Sequence, residues 1–248
     1  MDQIAILPDP GGVIDKPGLY RMDEARYHGD PCVTPSASSS LLKVYEEGMS
    51  PLHMWAVHPR LNPGAPKKDT AALRLGRAAH MAAFEPDRFS ETYAIRPSGL
   101  DGRTKEGKAW AEAHRGAETL TAEAAEAITA MAVTIRAHPE AGALLRGAEH
   151  EVSGFHQDRE TGVWCRVRFD ILPRAPDRFL SDYKTSTSIA LDDIARSAWE
   201  YRWPLQAAFY MDAFAATVGE PARGFAFLVQ EKASPFAVRV TPHGRKRH

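Results

Sequence analysis

Two segments of this chain, GVWCRVRFDIL (162–172) and DRFLSDYKT (177–185), carry the side chains best suited to hold a cation against a phosphodiester. Strand side chains alternate between faces, so Val163, Cys165, Val167, Phe169 and Ile171 form one apolar face and Trp164, Arg166, Arg168 and Asp170 the other. In the second segment Leu180, Asp182 and Lys184 share a face, with Phe179, Ser181 and Tyr183 opposite. A hairpin turning at PRAPD would bring Asp170 and Asp182 together, each a few residues from the turn. Two adjacent carboxylates repel unless a cation lies between them, and hard oxygen ligands suit Mg²⁺. Lys184 points to the same place, where it could orient or activate a water for attack on a metal-bound phosphodiester. An isolated D…DxK spacing is common by chance and more often means two edge carboxylates and a surface lysine. Its neighbours decide.

One neighbour is His80, in LRLGRAAHMAAFEP, on a helix whose Gly76, Ala79, Ala82 and Ala83 permit close packing on a sheet. On such a face a lone histidine is either a hydrogen-bonded core residue or a ligand. In WPLQAAFYMDAF, Gln206 and Tyr210 are four residues apart and project from one side of a helix. Thr185 and Ser186 either bind a phosphate or cap the next helix.

These residues need a scaffold. Residues 1–68 are rich in Pro, Gly and Ser, with one helix expected near SASSSLLKVYEEG, capped by Ser38 or Ser39. A helix capped by Asp69 or Thr70 runs to about Phe84 and stops at Pro86. A short apolar segment and a turn follow. Residues 104–115 and 121–146 are helical, the latter broken at His138-Pro139. From about residue 149 three strands form a meander. A single long helix is then expected from about Leu191 to Val218, and GFAFLVQEK and FAVRV make two more strands. This order describes an α/β core rather than a repeat or an all-β fold.

Composition narrows the function. A net charge of −1 gives no global basic footprint, although a local basic channel would suffice to attract nucleic acid. The 2 cysteines, Cys32 and Cys165, are too few for an iron–sulfur cluster and suggest no disulfide framework. The start of the chain lacks the pattern of a signal peptide, and the stretch at 203–218 is interrupted by Pro204, Gln206 and Asp212. A soluble protein of a reducing cytoplasm is the expectation. GRTKEGKA nearly spells a phosphate-binding loop, but Ala109 stands where Ser or Thr would bind Mg²⁺. His150 and His156 lie about 20 Å apart on an extended strand and cannot chelate one ion.

Taken in order, G-x-x-x-H on a helix, D…DYKT and Q-x-x-x-Y on the next helix resemble the RecB-like branch of the PD-(D/E)xK nucleases. Within it they are most similar to the RecE-type phage and prophage exonucleases (exodeoxyribonuclease VIII-like). YHGDPCVTPSASSSLL, SPLHMWAVHPRLNP, DGRTKEGKAW and EVSGFHQDRETGVWCRVRFDIL extend the likeness over about residues 27–240. The resemblance implies a restriction-endonuclease-like α/β core, a central mixed sheet flanked by helices. It divides the chain into an N-terminal helical and loop extension packed on the core (1–68), a nuclease domain (69–241) and a basic tail (242–248).

It further implies that His80, Asp170, Asp182 and the Tyr183 backbone carbonyl hold one or two Mg²⁺ ions, with Mn²⁺ as a substitute. Lys184 would be the catalytic lysine, Gln206 and Tyr210 would support the site or contact DNA near the scissile phosphate, and Glu151 is a weaker candidate for a carboxylate on a second metal or behind the ligands. Arg166 and Arg168, on the polar face with Asp170, either meet phosphate oxygens or pair with nearby acids. Arg103, Thr104, Lys105 or Lys108 would touch the DNA backbone. The implied activity is ATP-independent, 5′ to 3′ degradation of linear double-stranded DNA in phage-type recombination. A ring-like homo-oligomer and a RecT-type single-strand annealing protein are its implied partners. A structure-specific endonuclease or repair nuclease on the same fold is the alternative, and a non-catalytic DNA-end-binding module the third. Where these exonucleases continue into another helix, this chain ends in TPHGRKRH.

Overall fold

A computed structural model of the protein describes residues 4–46, 48–65, 69–174 and 178–243. The chain opens with two short strands, β1 (Ile6–Pro8) and β2 (Gly18–Arg21), and three helices, α1 (Glu24–His28), α2 (Ser39–Glu46) and α3 (Pro51–Val57). α4 (Ala71–Phe84) begins where the Thr70 hydroxyl accepts from the Leu73 amide, satisfying one of the amides a helix start leaves unpaired. Then come α5 (Pro86–Thr92), β3 (Tyr93–Arg96), α6 (Lys105–Ala113), β4 (Glu118–Thr121), α7 (Ala122–Ala137) and α8 (Pro139–Arg146). The second half runs β5 (Ala148–Gln157), β6 (Trp164–Pro173), β7 (Phe179–Ser186), α9 (Leu191–Glu200), α10 (Trp203–Val218), β8 (Gly224–Glu231) and β9 (Val238–His243).

Among the described residues the main sheet has 7 strands in the order β1-β2-β5-β6-β7-β8-β9, while β3 and β4 form a separate parallel pair. The β1–β2 and β7–β8 pairs are parallel and the rest antiparallel, so the sheet is mixed. Helices cover both faces. α10 lays Ala207, Ala213 and Phe214 on Val152, Val167, Phe169, Leu180, Phe225 and Phe227. On the other side α4, α7 and α8 bring Ala79, Ala83, Met131, Ile135 and Leu145 against Ile171, Tyr183 and Leu228. Alternate residues of β8 thus serve opposite cores, the pattern of a strand buried on both faces.

Three expectations are corrected. The strand alternation expected through Ile171 breaks at Asp170. Val167 and Phe169 pack under α10, but Ile171 joins the opposite core and Leu172 the α10 side. Facing Asp170 in the β5–β6 register is Glu151, with φ +55, and the ladder skips this pair. A left-handed residue inside a strand costs about 1–3 kcal/mol and tends to accompany a site. The helix expected over 191–218 is two helices, because Pro204 has no N–H for the Glu200 carbonyl and its ring crowds that turn. Tyr201 and Arg202 make the break, Arg202 with φ +52. The first 68 residues, expected to hold one helix, add two strands to the sheet, β2 pairing with β5. Residues 244–248 of the basic tail lie outside the described residues. Among those described, no helix is long and apolar enough to cross a membrane.

Candidate metal centre

β6 and β7 are bridged at Ile171 and Ser181, and the same antiparallel register sets Asp170 opposite Asp182. Beyond that bridge the two strands exchange no further backbone pair among the described residues. Instead the Tyr183 amide donates to Asp170 Oδ2 at 3.0 Å. The carboxylate takes the place of a ladder carbonyl, which fixes it at the point where the sheet opens.

His80, from the middle of α4, reaches the same place. Its Nδ1 is 2.9 Å from Glu151 Oε1 and its Nε2 is 3.0 Å from Asp170 Oδ2. One ligand atom from each of His80, Glu151 and Asp170 falls within 4.8 Å of the others. Arg168 Nε donates to the second oxygen of Glu151 at 2.7 Å, and its Nη1 to the Met22 carbonyl and the Ser153 hydroxyl. Glu151, the weakest candidate by sequence, is therefore part of the cluster, presented by its left-handed backbone and held by Arg168.

Asp182 lies deeper, 1% exposed, on the α10 side. Gln206 Nε2 donates to its Oδ1 at 2.6 Å, and Lys184 Nζ lies 2.5 Å from its Oδ2. The ammonium is thus ion-paired with that oxygen, and both oxygens of the buried carboxylate are engaged. Tyr210 stacks edge-on against Phe169 and, with Thr185, His80, Glu151, Arg168 and Asp170, lines an open cavity of about 610 Å³.

The electrostatics follow from crowding acids in a dry place. Burial, and then the negative charge of Asp170, push Asp182 up to about 6. Asp170 goes the other way, to about 2, because His80 and Lys184 outweigh its burial. Burial alone would depress His80, yet Asp170 and Glu151 hold it well above the ordinary histidine range. Lys184 is likewise raised, the two aspartates outweighing its burial. Both ring nitrogens of His80 are therefore tied to carboxylates, one from each neighbouring strand.

Such a donor set fits a divalent cation. Two carboxylates suit Mg²⁺ or Mn²⁺, His80 adds an imidazole nitrogen, and the buried Asp182 carboxylate stands opposite Asp170. Tyr183 contributes its amide to Asp170.

Other sequence candidates sit elsewhere. Arg166 is 4% exposed and donates to the Ser36 carbonyl and hydroxyl beside Asp30, so it fastens the N-terminal segment rather than meeting phosphate. Arg168 positions Glu151. Arg103 pairs with Asp101, and neither it nor Lys105 or Lys108 lines the cavity. Thr104 caps α6 by accepting from the Gly107 amide, and a Cβ on Gly107 would stand 2.1 Å from the Asp101 carbonyl oxygen. The near phosphate-binding loop is thus a helix start that only glycine fits. Ser186 accepts from the Ser188 amide and Ser188 from the Ala190 amide, so the hydroxyl run makes turns and α9 has no side-chain cap. Sequence reasoning missed Lys43 on α2, whose Nζ donates to Gln206 Oε1 at 3.0 Å. Nothing in its spacing from Gln206 announced that contact.

A mixed sheet between helices, with an Asp–Asp–Lys group and a histidine at its opening, is the architecture of a PD-(D/E)xK-type nuclease. Residues 38–246 match the PDDEXK-like domain of unknown function (DUF3799), and the chain belongs to that family. It is similar in fold to a crystal structure from Eubacterium rectale, of a protein provisionally named as an exonuclease. The two share 17% identity over 90% of this chain and 75% of that one, with a TM-score of 0.59. No protein of curated function matches the sequence.

Proposed function

We propose that this protein is a divalent-metal-dependent hydrolase of DNA phosphodiesters, acting as an exonuclease on linear double-stranded DNA. The observation that carries this is the convergence of His80, Glu151 and Asp170 at an open cavity beside the buried Asp182–Lys184 pair. His80, Asp170 and Asp182, with Glu151 and the Tyr183 carbonyl, are the groups that would hold the ion. A bound divalent ion supplies positive charge at the phosphate and an acidified water.

The chain's own residues do the rest. Tyr183, through its amide to Asp170, and Arg168, through Glu151, hold the carboxylates in place against their mutual repulsion. Lys184, paired with Asp182 at the edge of the site, orients water and offsets developing negative charge. Tyr210 presents a phenol to the cavity wall. Support for an exonuclease in particular comes from the ordered motifs shared with RecE-type enzymes and from the name given to the similar structure. The same resemblance carries the 5′ to 3′ direction, the ring-like oligomer and a RecT-type annealing partner in recombination.

The test is a pair of substrates, end-labelled linear duplex and covalently closed circular DNA, with Mg²⁺ or Mn²⁺ and no ATP. Linear DNA should shorten from its ends, EDTA should stop the reaction, and circles should stay intact. Cleaved circles would make the protein an endonuclease. Lys184→Ala should slow degradation by about 10²-fold or more, and an unchanged rate would remove the lysine from the chemistry.

A further inference from the structure

Within that reading, we infer that Lys43 is a positioning residue of the nuclease site, acting through Gln206 on Asp182. α2 packs beside α10, and across the contact runs a chain of polar groups. Lys43 Nζ donates to Gln206 Oε1 at 3.0 Å, and Gln206 Nε2 donates to Asp182 Oδ1 at 2.6 Å. Gln206 is 4% exposed and Asp182 1%, so neither is solvated enough for water to replace a lost partner cheaply.

An amide offers one acceptor end and one donor end. The carboxylate demands the donor and the ammonium demands the acceptor, so both neighbours enforce one orientation of Gln206. Without the ammonium that orientation loses half its cause, and a flipped amide would turn its oxygen on a buried carboxylate. Held as it is, Gln206 occupies Oδ1 and leaves Oδ2 to the Lys184 side. Ser39 and Ser40 of the same helix line the cavity, whereas Lys43 turns to Gln206 behind it. Its effect should therefore fall on the chemical step and on metal affinity, with substrate binding untouched.

The experiment uses the full chain with Lys43→Met, Lys43→Arg, Gln206→Leu and the Lys43→Met/Gln206→Leu pair. Cleavage of linear duplex gives kcat and KM, and Mn²⁺ titration without DNA, followed by electron paramagnetic resonance, gives metal affinity. Lys43→Met should lower kcat and weaken Mn²⁺ binding by about tenfold each, the loss typical of a group behind a metal ligand, and leave KM unchanged. Lys43→Arg should recover most of both, and Lys43→Met should add no loss once Gln206 is leucine. Lys43→Gln carries the same expectation as Lys43→Met and serves if the methionine lowers Tm. Wild-type kcat and Mn²⁺ affinity in these variants, or a raised KM of equal size with and without Gln206, would overturn the inference while the nuclease assignment stood. A wild-type protein that neither binds Mn²⁺ nor cleaves DNA would overturn both.

Discussion

Asp182 shows what the site costs the fold. It is buried and faces another carboxylate at the same register, with only Lys184 and Gln206 described on its two oxygens. Asp182→Asn removes the repulsion while keeping the shape and the contact with Gln206. Metal-free protein carrying it should therefore be more stable than wild type at neutral pH, by about 1–3 kcal/mol in urea unfolding, and catalytically dead. A destabilised variant would mean that Lys184 and Gln206 more than compensate the charge. Glu151→Gln should act differently. His80 and Arg168 both lose a charged partner, and Mn²⁺ affinity should fall by about 10–100-fold in calorimetric titration. Asp170, Asp182 and Lys184 were legible because strand alternation and a short turn are local properties. Glu151 was not, because its orientation depends on a left-handed backbone that alternation does not foresee. Lys43 was hidden for another reason, a contact across 163 positions that only tertiary packing creates.

Elements repeat the pattern. Thr70, His138-Pro139 and the turn-bounded strands of the second half announced α4, the α7–α8 break and β5 to β9, since caps, prolines and turn residues act within one or two turns of chain. The α9–α10 break hung on Pro204, and Arg202, in the break, pairs with Glu46 at the end of α2. Less legible was the clasp made by the N-terminal loop. His58 accepts at Nδ1 from the amides of Arg60 and Leu61, so its Nε2 carries the proton given to the Ser36 carbonyl, beside Asp30 and Arg166. Burial lowers its pKa, ahead of the opposing pull of Ser36 and Asp30. The unfolded chain thus takes up this proton first. The contribution of His58 to stability should be complete above the ordinary histidine pKa of about 6.5 and shrink as pH falls below it. Comparing wild type with His58→Gln in urea at pH 7.5 and 5.5 isolates the effect, about 1 kcal/mol of extra acid loss in the wild type. Equal pH dependence in both would place the acid sensitivity in other histidines.

On the scale of the whole molecule, the family's domain and the folding unit have different limits. The family match starts at residue 38, yet the sheet continues through β2 to β1. β2 covers the edge of β5, and Leu19, Tyr20, Met22 and Tyr27 are buried, three of them in one cluster with Phe155 and Trp164. Glu24 and Tyr27 also reach the cavity, and Asp30 and Ser36 satisfy Arg166. Removing residues 1–37 would bare an edge strand, strand a buried guanidinium, take away the burial of these four apolar side chains and uncover Phe155 and Trp164 beneath them. At about 1.5–3 kcal/mol for each side chain buried, the loss is comparable to the whole stability of an ordinary domain. The 38–248 fragment should therefore be aggregation-prone or unfolded by circular dichroism, while the full chain melts cooperatively. A fragment that stays soluble, melts within a few degrees of the full chain and still binds Mn²⁺ would show that these 37 residues are an accessory. Their contacts to β5 and to Arg166 point the other way: the residues before the family domain belong to the sheet that holds Asp170 and Glu151 in place.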